Sequence, residues 1–222
     1  MTNPPNRRLL RALGMAKMYW PDALFYDKQR ETIQSCVEND ETVVVAGNKL
    51  GKDYTAAYVA LSFFVCPQMY FPDQYVREVE SWRKPGQPDH LVHTRRVVTT
   101  SVKEKHLDVL WGEMGKFLAT ATIPLMETRG GPLVINSLDI RFKEERDVKK
   151  PFNYMIGCVS EHGEGLAGHH AAYTLCIVDE ASGVDDDVKN FAQGWAKKFL
   201  IFGNPRPCQN FFRRAVAEGN VA

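Results

Sequence analysis

The segment AGNKLGKD at residues 46–53 constrains the fold of this chain more than any other feature of the sequence. It follows the short β-branched run TVVVA at residues 42–46 and opens a long apolar stretch that ends near Pro67. Gly51 allows the backbone to turn its N–H groups inward, and a helix beginning at Lys52 points the positive end of its dipole at the same place. A strand, a glycine loop and a helix in this order form a cradle for phosphate groups, to which Lys52 adds a mobile cation. An ordinary glycine turn is the alternative.

Asp53 stands where such a loop usually carries a Ser or Thr hydroxyl that binds magnesium. A carboxylate is a good ligand for a hard cation, but it also places negative charge beside a triphosphate. We expect Asp53 to serve Mg²⁺, directly or through water; the alternative is a helix-start aspartate that complements the dipole. The residues of this segment predicted to bind the nucleotide are Ala46, Gly47, Asn48, Lys49, Leu50, Gly51, Lys52, Asp53 and Tyr54.

A pair of carboxylates, Asp179 and Glu180, ends the apolar run LCIV. Carboxylates at the tip of a strand can hold magnesium and can orient or deprotonate an attacking water. Such a pair also arises by chance, but a phosphate loop earlier in the chain, with a strand and a helix between, favours the functional interpretation. We predict Asp179 as the metal partner and Glu180 as the general base.

The next apolar run, KKFLIFGNP, ends in Gly203, Asn204 and Pro205. If its strand neighbours the one that carries the acidic pair, the Asn204 amide stands beside that pair and can sense the γ-phosphate or the attacking water. A polar turn is the alternative, because Asn-Pro readily initiates one.

The remaining patterns predict a single α/β domain over residues 1–222, with its core at about residues 20–215. A helical pattern spans residues 27–38, and strand-like runs recur at 95–101, 152–160, 173–180 and 197–204. Continuous apolar strands suit a mainly parallel sheet with helices on both faces. Residues 132–142 indicate a peripheral hairpin, and residues 67–94, which contain several prolines, indicate an irregular insertion.

Composition excludes several classes of protein. The longest apolar run, residues 55–66, is shorter than the ~20 residues that span a bilayer, and no apolar segment follows the basic pair at Arg7 and Arg8. We therefore expect an intracellular protein without membrane contact. Five scattered cysteines predict reduced thiols and no zinc site.

The formal net charge of +1 is too small for a domain that grips DNA over a long footprint by itself. Any DNA contact must be local or shared between subunits. Solvated helix faces are the alternative interpretation of the basic clusters, which are formed by Arg7, Arg8, Arg11, Lys17, Arg213 and Arg214.

Several segments together resemble the successive ATPase motifs of the large subunits of tailed-phage terminases, which are DNA-packaging motors. These segments are FYDKQRE, AGNKLGKD, VVTTS, GLAGHHA, LCIVDEASGV and FLIFGNP. The resemblance covers roughly residues 20–215, and its most distinctive parts are Gly168, His169, His170 and Ala171 before VDEASGV and the closing GNP. It implies a P-loop NTPase fold of the ASCE, RecA-like type.

The resemblance also implies roles for individual residues. Tyr26 and Gln29 correspond to an adenine-binding motif, in which a Gln reads the adenine edge and an aromatic ring stacks on the base. An exposed helical Gln is the alternative. Lys49 corresponds to a basic residue that responds to the γ-phosphate, and Asn204 to an element that couples nucleotide state to DNA. The implied catalytic residues are Lys49, Lys52, Glu180 and Asn204.

Many members of the family complete the site with an arginine from a neighbouring subunit. That arginine precedes the glycine before the acidic strand, where this chain has Ala167 followed by Gly168. Arg129, Arg141 and Arg146 are the remaining candidates, each with an ordinary surface charge as the alternative.

The function implied by the resemblance is ATP hydrolysis with Mg²⁺, which powers translocation of double-stranded DNA into a procapsid. The implied partners are the portal protein and the small terminase subunit, with a homo-oligomeric ring on the procapsid or a monomer in isolation. The implied location is the host cytoplasm and not the mature virion. We expect no C-terminal nuclease domain within residues 1–222 and no DNA cleavage by them. Two alternatives are a helicase-like DNA translocase, which needs a second core domain, and a nucleotide-gated binding module with little turnover.

Overall fold

The structure is a computed structural model that describes residues 7–47, 50–159 and 164–218. β-Branched and apolar runs of the sequence form its strands. The strands are β1 (Glu41–Val45), β2 (Arg95–Ser101), β3 (Leu133–Asn136), β4 (Asp139–Phe142), β5 (Tyr154–Val159), β6 (Tyr173–Val178) and β7 (Lys198–Gly203).

The α-helices lie between the strands and at both ends of the described chain. They are α1 (Arg7–Tyr19), α2 (Asp27–Glu38), α3 (Lys52–Val65), α4 (Asp73–Ser81), α5 (Asp89–Val92), α6 (Glu104–Thr120), α7 (Asp186–Gln193) and α8 (Phe211–Ala217). Across the described ranges, none of them combines the length and the apolar character that crossing a membrane requires.

All seven strands join one sheet in the order β1-β7-β6-β2-β5-β4-β3. The first five strands in this order run parallel. At one edge, β4 pairs antiparallel with both β5 and β3. Strand β7 therefore lies between the strand that precedes the phosphate loop and the strand that precedes the acidic pair. Because the carboxyl ends of parallel strands share one edge, the two segments face the same cleft.

Helices cover both faces of the sheet, which explains why every residue of β6 and of β7 is buried. One apolar cluster joins the sheet to α1, α2, α3 and α6, and a second joins it to α7 and α8. The fold is thus the predicted α/β sandwich with a mainly parallel sheet.

The predicted hairpin is confirmed, since β3 and β4 pair antiparallel and lie at the edge. The segment 67–94 is more regular than its prolines indicate. It contains a 3₁₀ turn at Pro67–Tyr70 as well as α4 and α5, and it buries Phe71 and Val79. Pro72 and Pro88 stand directly before α4 and α5, where a missing N–H has no cost. These prolines begin helices and do not break them.

Candidate functional site

Lys52, the first residue of α3, contacts both carboxylates that follow β6. Its Nζ lies 2.6 Å from Oδ1 of Asp179 and 2.8 Å from Oε1 of Glu180. The side chains of Lys52, Asp179 and Glu180 are 11%, 4% and 14% exposed, so water screens these ion pairs little. The phosphate loop and the acidic pair, which are more than 120 residues apart in sequence, meet at one point.

This contact stabilises the protonated, charged form of Lys52. Burial alone would lower the pKa of Lys52, but the hydrogen bonds to Asp179 and Glu180 outweigh it and raise the pKa above its ordinary value. Lys52 therefore stays a cation at neutral pH, as a residue that binds phosphate must.

Glu180 is held from two sides. Lys52 contacts Oε1, and the side-chain amide of Asn204 at the end of β7 donates to Oε2 over 2.7 Å. The backbone of Glu180 has φ 54° and ψ 41°, the left-handed region, and among the described residues no other non-glycine residue has a positive φ. Such a conformation costs free energy for a residue with a β-carbon, and strain of this kind is concentrated at functional sites.

The phosphate loop is braced by the start of α2. Gly51 has φ 68°, and a β-carbon there would lie 2.7 Å from Nε2 of Gln29. That Nε2 donates to the Gly51 carbonyl over 3.3 Å, and Oε1 of Gln29 accepts from the Tyr26 N–H over 3.2 Å. The hydroxyl of Tyr26 donates to the Leu50 carbonyl. The two residues assigned to adenine thus bind the loop itself in this structure.

Three carboxylates surround the single ammonium group of Lys52. Asp53 lies 3.9 Å from it, in addition to Asp179 and Glu180. Burial raises the pKa of Asp53, and the negative charge of Asp179 raises it further. An excess of carboxylate oxygens at the mouth of a phosphate cradle fits the ligand preference of Mg²⁺, with Asp179 and Asp53 as the residues that could hold it.

Two cavities flank the start of α3. One, of about 170 Å³, is lined by Tyr26, Gln29, Leu50 and Lys52 together with Ala46. The other, of about 220 Å³, contains the side chain of Tyr54, whose ring packs against Phe117 at a centroid distance of 4.8 Å. Tyr54 therefore lines a different cavity from Tyr26, Gln29 and Lys52.

Several of the residues predicted from sequence have no contact with the acidic pair to report. Asn48 and Lys49 lie outside the described residues. Of the three candidate arginines, Arg129 donates to the Ala119 carbonyl, Arg141 pairs with Asp139 and Arg146 pairs with Glu127.

The basic clusters are partly engaged within the chain as well. Arg8 donates to the Val37 carbonyl over 2.9 Å, and Arg214 pairs with Asp186 at 2.8 Å. All five cysteines are free thiols, in agreement with the sequence prediction.

Two residues at the end of β2, Thr100 and Ser101, were not singled out from sequence. Both are fully buried next to the acidic strand, and neither hydroxyl has a hydrogen-bond partner among the described residues. The only sequence signal was the segment VVTTS, in which polar residues end a strand that is buried on both faces.

Several solved structures share this fold. The large terminase of bacteriophage HK97 superimposes with a TM-score of 0.60 at 14% sequence identity, over 96% of this chain and 42% of that one. The ATPase domain of the large terminase of Thermus phage P74-26 matches with a TM-score of 0.57 at 12% identity, over 96% of this chain and 74% of that domain. A point mutant of the same domain matches with a TM-score of 0.57 at 14% identity over the same shares of the two chains.

At these identities the likeness establishes the fold. This chain spans less than half the length of the HK97 terminase. No protein-family model and no curated protein matches the sequence.

Proposed function

We propose that this chain, which has the fold of the ATPase domains of phage large terminases, hydrolyses ATP. We propose further that this hydrolysis drives double-stranded DNA into a procapsid. The contact of Lys52 with Asp179 and Glu180 is the observation that supports this most directly. It gathers a phosphate-binding cation, a metal ligand and a base in one cleft, which is the set of groups that phosphoryl transfer to water requires.

ATP binding changes the partners of Lys52 in this proposal. The triphosphate lies against the loop N–H groups and the start of α3, and Lys52 moves from the acidic pair to the β- and γ-phosphates. Its departure frees Oε1 of Glu180, while Asn204 keeps its hydrogen bond to Oε2 and holds the carboxylate in place. The base is therefore released only when nucleotide is present.

Glu180 then accepts a proton from a water molecule. The water oxygen forms a bond to the γ-phosphorus as the bond from that phosphorus to the β–γ bridging oxygen breaks, which yields ADP and phosphate. Magnesium held by Asp179 and Asp53 would neutralise charge on the phosphates. Lys52 stabilises the charge that develops on the γ-phosphate oxygens.

Assembly belongs to the same proposal. A domain with a formal net charge of +1, whose candidate arginines are engaged within the chain, has little positive charge of its own for DNA or for a neighbour's nucleotide. We therefore place DNA binding in a homo-oligomeric ring in the host cytoplasm, with the portal protein and the small terminase subunit as partners.

The decisive experiment is steady-state ATP hydrolysis by the native chain and by Glu180→Gln. We expect Glu180→Gln to lose about 10²-fold to 10⁴-fold in kcat, because a general base contributes that much, and to keep its affinity for ATP. Glu31→Gln, an exposed substitution on α2, is the matched control and should hydrolyse ATP like the native chain. Equal rates for native chain and Glu180→Gln would refute the assignment.

A nucleotide-gated binding module is the second candidate, and the carboxylate of Asp53 in place of a hydroxyl favours it. A further negative charge beside the triphosphate could slow turnover while ATP still sets the conformation. Tight ATP binding by the native chain without measurable hydrolysis would support this module over the motor.

A further inference from the structure

The buried hydroxyls of Thr100 and Ser101 take no part in the reaction described above. Thr100 is 1% exposed and Ser101 0%, and Oγ1 and Oγ lack a hydrogen-bond partner among the described residues. A buried polar group without a partner lowers stability, so its presence points to a water, an ion or a ligand that completes it.

The two hydroxyls face opposite sides of the sheet, because side chains alternate along a strand. Thr99 accepts a hydrogen bond of 2.9 Å from Nε1 of Trp111 on α6, and Val98 packs in the cluster with α7. Ser101, two residues after Thr99, therefore faces α3 and α6. Thr100 faces the α7 side.

Asp179 lies on the same face as Ser101, on the neighbouring strand. Thr100 pairs with Val178 in parallel register, and the N–H of Asp179 donates to the Thr100 carbonyl over 2.9 Å. Ile177 packs in the cluster with α3 and α6, so Asp179 faces that side too. One step beyond the paired residues, Ser101 and Asp179 stand side by side at the spacing of adjacent strands, about 4.8 Å.

We propose that Ser101 is a positioning residue of the magnesium site, where its Oγ holds a water of the metal's coordination shell beside Asp179. The proposal rests on the proposed function, because the metal arrives with the nucleotide. Among the described residues the Ser101 Oγ makes no hydrogen bond to the Asp179 carboxylate, and a bridging water would join the two groups.

The chemistry of the groups fits this role. A hydroxyl can accept from such a water and donate to a carboxylate, and Mg²⁺ retains several waters when one or two carboxylates hold it. In the structure Lys52 contacts the Asp179 carboxylate, and the Ser101 hydroxyl has no hydrogen-bond partner within the part of the chain that is described. When Lys52 moves to the phosphates, the Asp179 carboxylate that it leaves would hold the metal, and a water of that metal would give the Ser101 hydroxyl its hydrogen-bond partner.

The test is a titration with Mn²⁺ in the presence of a non-hydrolysable ATP analogue. Electron paramagnetic resonance measures how much Mn²⁺ is bound. We expect Ser101→Ala to weaken Mn²⁺ affinity about tenfold, the loss typical of a group that orients a metal ligand. Thr100→Val removes the equivalent hydroxyl from the other face and should leave Mn²⁺ affinity unchanged. Affinity for the analogue without metal should be the same in native chain, Ser101→Ala and Thr100→Val.

Three results would overturn the proposal. The first is native Mn²⁺ affinity in Ser101→Ala, and the second is an equal loss in Thr100→Val. The third is a loss of metal-free analogue affinity in Ser101→Ala, which would mean that the hydroxyl binds phosphate or supports the fold. Asp179→Asn separates this proposal from the proposed function: if it also binds Mn²⁺ like the native chain, the magnesium site itself is wrong, whatever Ser101 does.

Discussion

The side-chain amide of Asn204 donates a 2.7 Å hydrogen bond to Oε2 of Glu180 and so joins the carboxyl ends of β7 and β6 directly. Asn204 is buried, which shields the bond from competing water. A hydrogen bond to a charged group contributes about 1.5–3 kcal/mol. The bond is therefore strong enough to fix the position of the carboxylate.

Asn204→Ala should lower kcat for ATP hydrolysis about tenfold to a hundredfold, because Glu180 loses the group that orients it. ATP affinity should change little, since Asn204 contacts the base and not the loop. Stopped-flow binding and steady-state turnover measure the two effects separately. An Asn204→Ala chain with native kcat would show that the amide does not position the base.

The left-handed backbone of Glu180 predicts a conflict between stability and activity. Glu180→Gly should be more stable than Glu180→Ala by about 1 kcal/mol, because only glycine adopts φ 54° without strain. Both variants lose the carboxylate and should be inactive. Urea unfolding of the two gives the difference, and equal stabilities would mean that no strain is stored at this residue.

Gly51→Ala should destabilise the chain by about 1–2 kcal/mol through its φ of 68°. The added β-carbon also meets Nε2 of Gln29, a buried side chain that two hydrogen bonds hold. In a Gln29→Ala background the same substitution should therefore cost less, since the steric part disappears and the backbone part remains. A double-mutant cycle by chemical denaturation checks this, and strictly additive effects would exclude the contact.

Asp53→Asn should alter how metal binding depends on pH. Burial raises the pKa of Asp53, so protons compete with metal at this carboxylate at higher pH than at an exposed aspartate. Mn²⁺ affinity of the native chain should fall as the pH decreases towards the raised pKa of Asp53. Asp53→Asn should bind Mn²⁺ more weakly at pH 7 and lose less affinity on acidification. Parallel pH profiles for the two chains would remove Asp53 from the metal site.

Lys198 at the start of β7 should make stability depend on pH. Burial lowers its pKa to about 8, whereas the unfolded chain has the ordinary value near 10.5. Between these values the unfolded state binds more protons, so the free energy of unfolding rises with pH, by about 3 kcal/mol over the whole range.

Urea unfolding at pH 7.5 and pH 9.5 measures this effect. Lys198→Met should remove the rise, and Lys197→Met, which changes the exposed neighbouring lysine, should retain it. If the free energy of unfolding of Lys198→Met rises with pH as it does in the native chain, the pH dependence belongs to other groups.

The sequence by itself determined the local elements and the kind of chemistry. The run RRVVTTS predicts β2 with its observed bounds, because β-branched residues favour extended backbone. The apolar runs before Asp179 and Asn204 predict β6 and β7, and the glycine loop before Lys52 predicts the start of α3. These features depend on neighbours along the chain, which a sequence shows directly.

Only the tertiary structure decided what those elements bring together. That β7 lies between β1 and β6, so that Asn204 contacts Glu180, depends on strand order, which local patterns do not encode. The hydrogen bond from Nε2 of Gln29 to the Gly51 carbonyl depends on how helices and strands pack. So does the position of Ser101 on the same face of the sheet as Asp179. Packing sums many weak contacts between distant segments, so the site forms only when the whole sheet does.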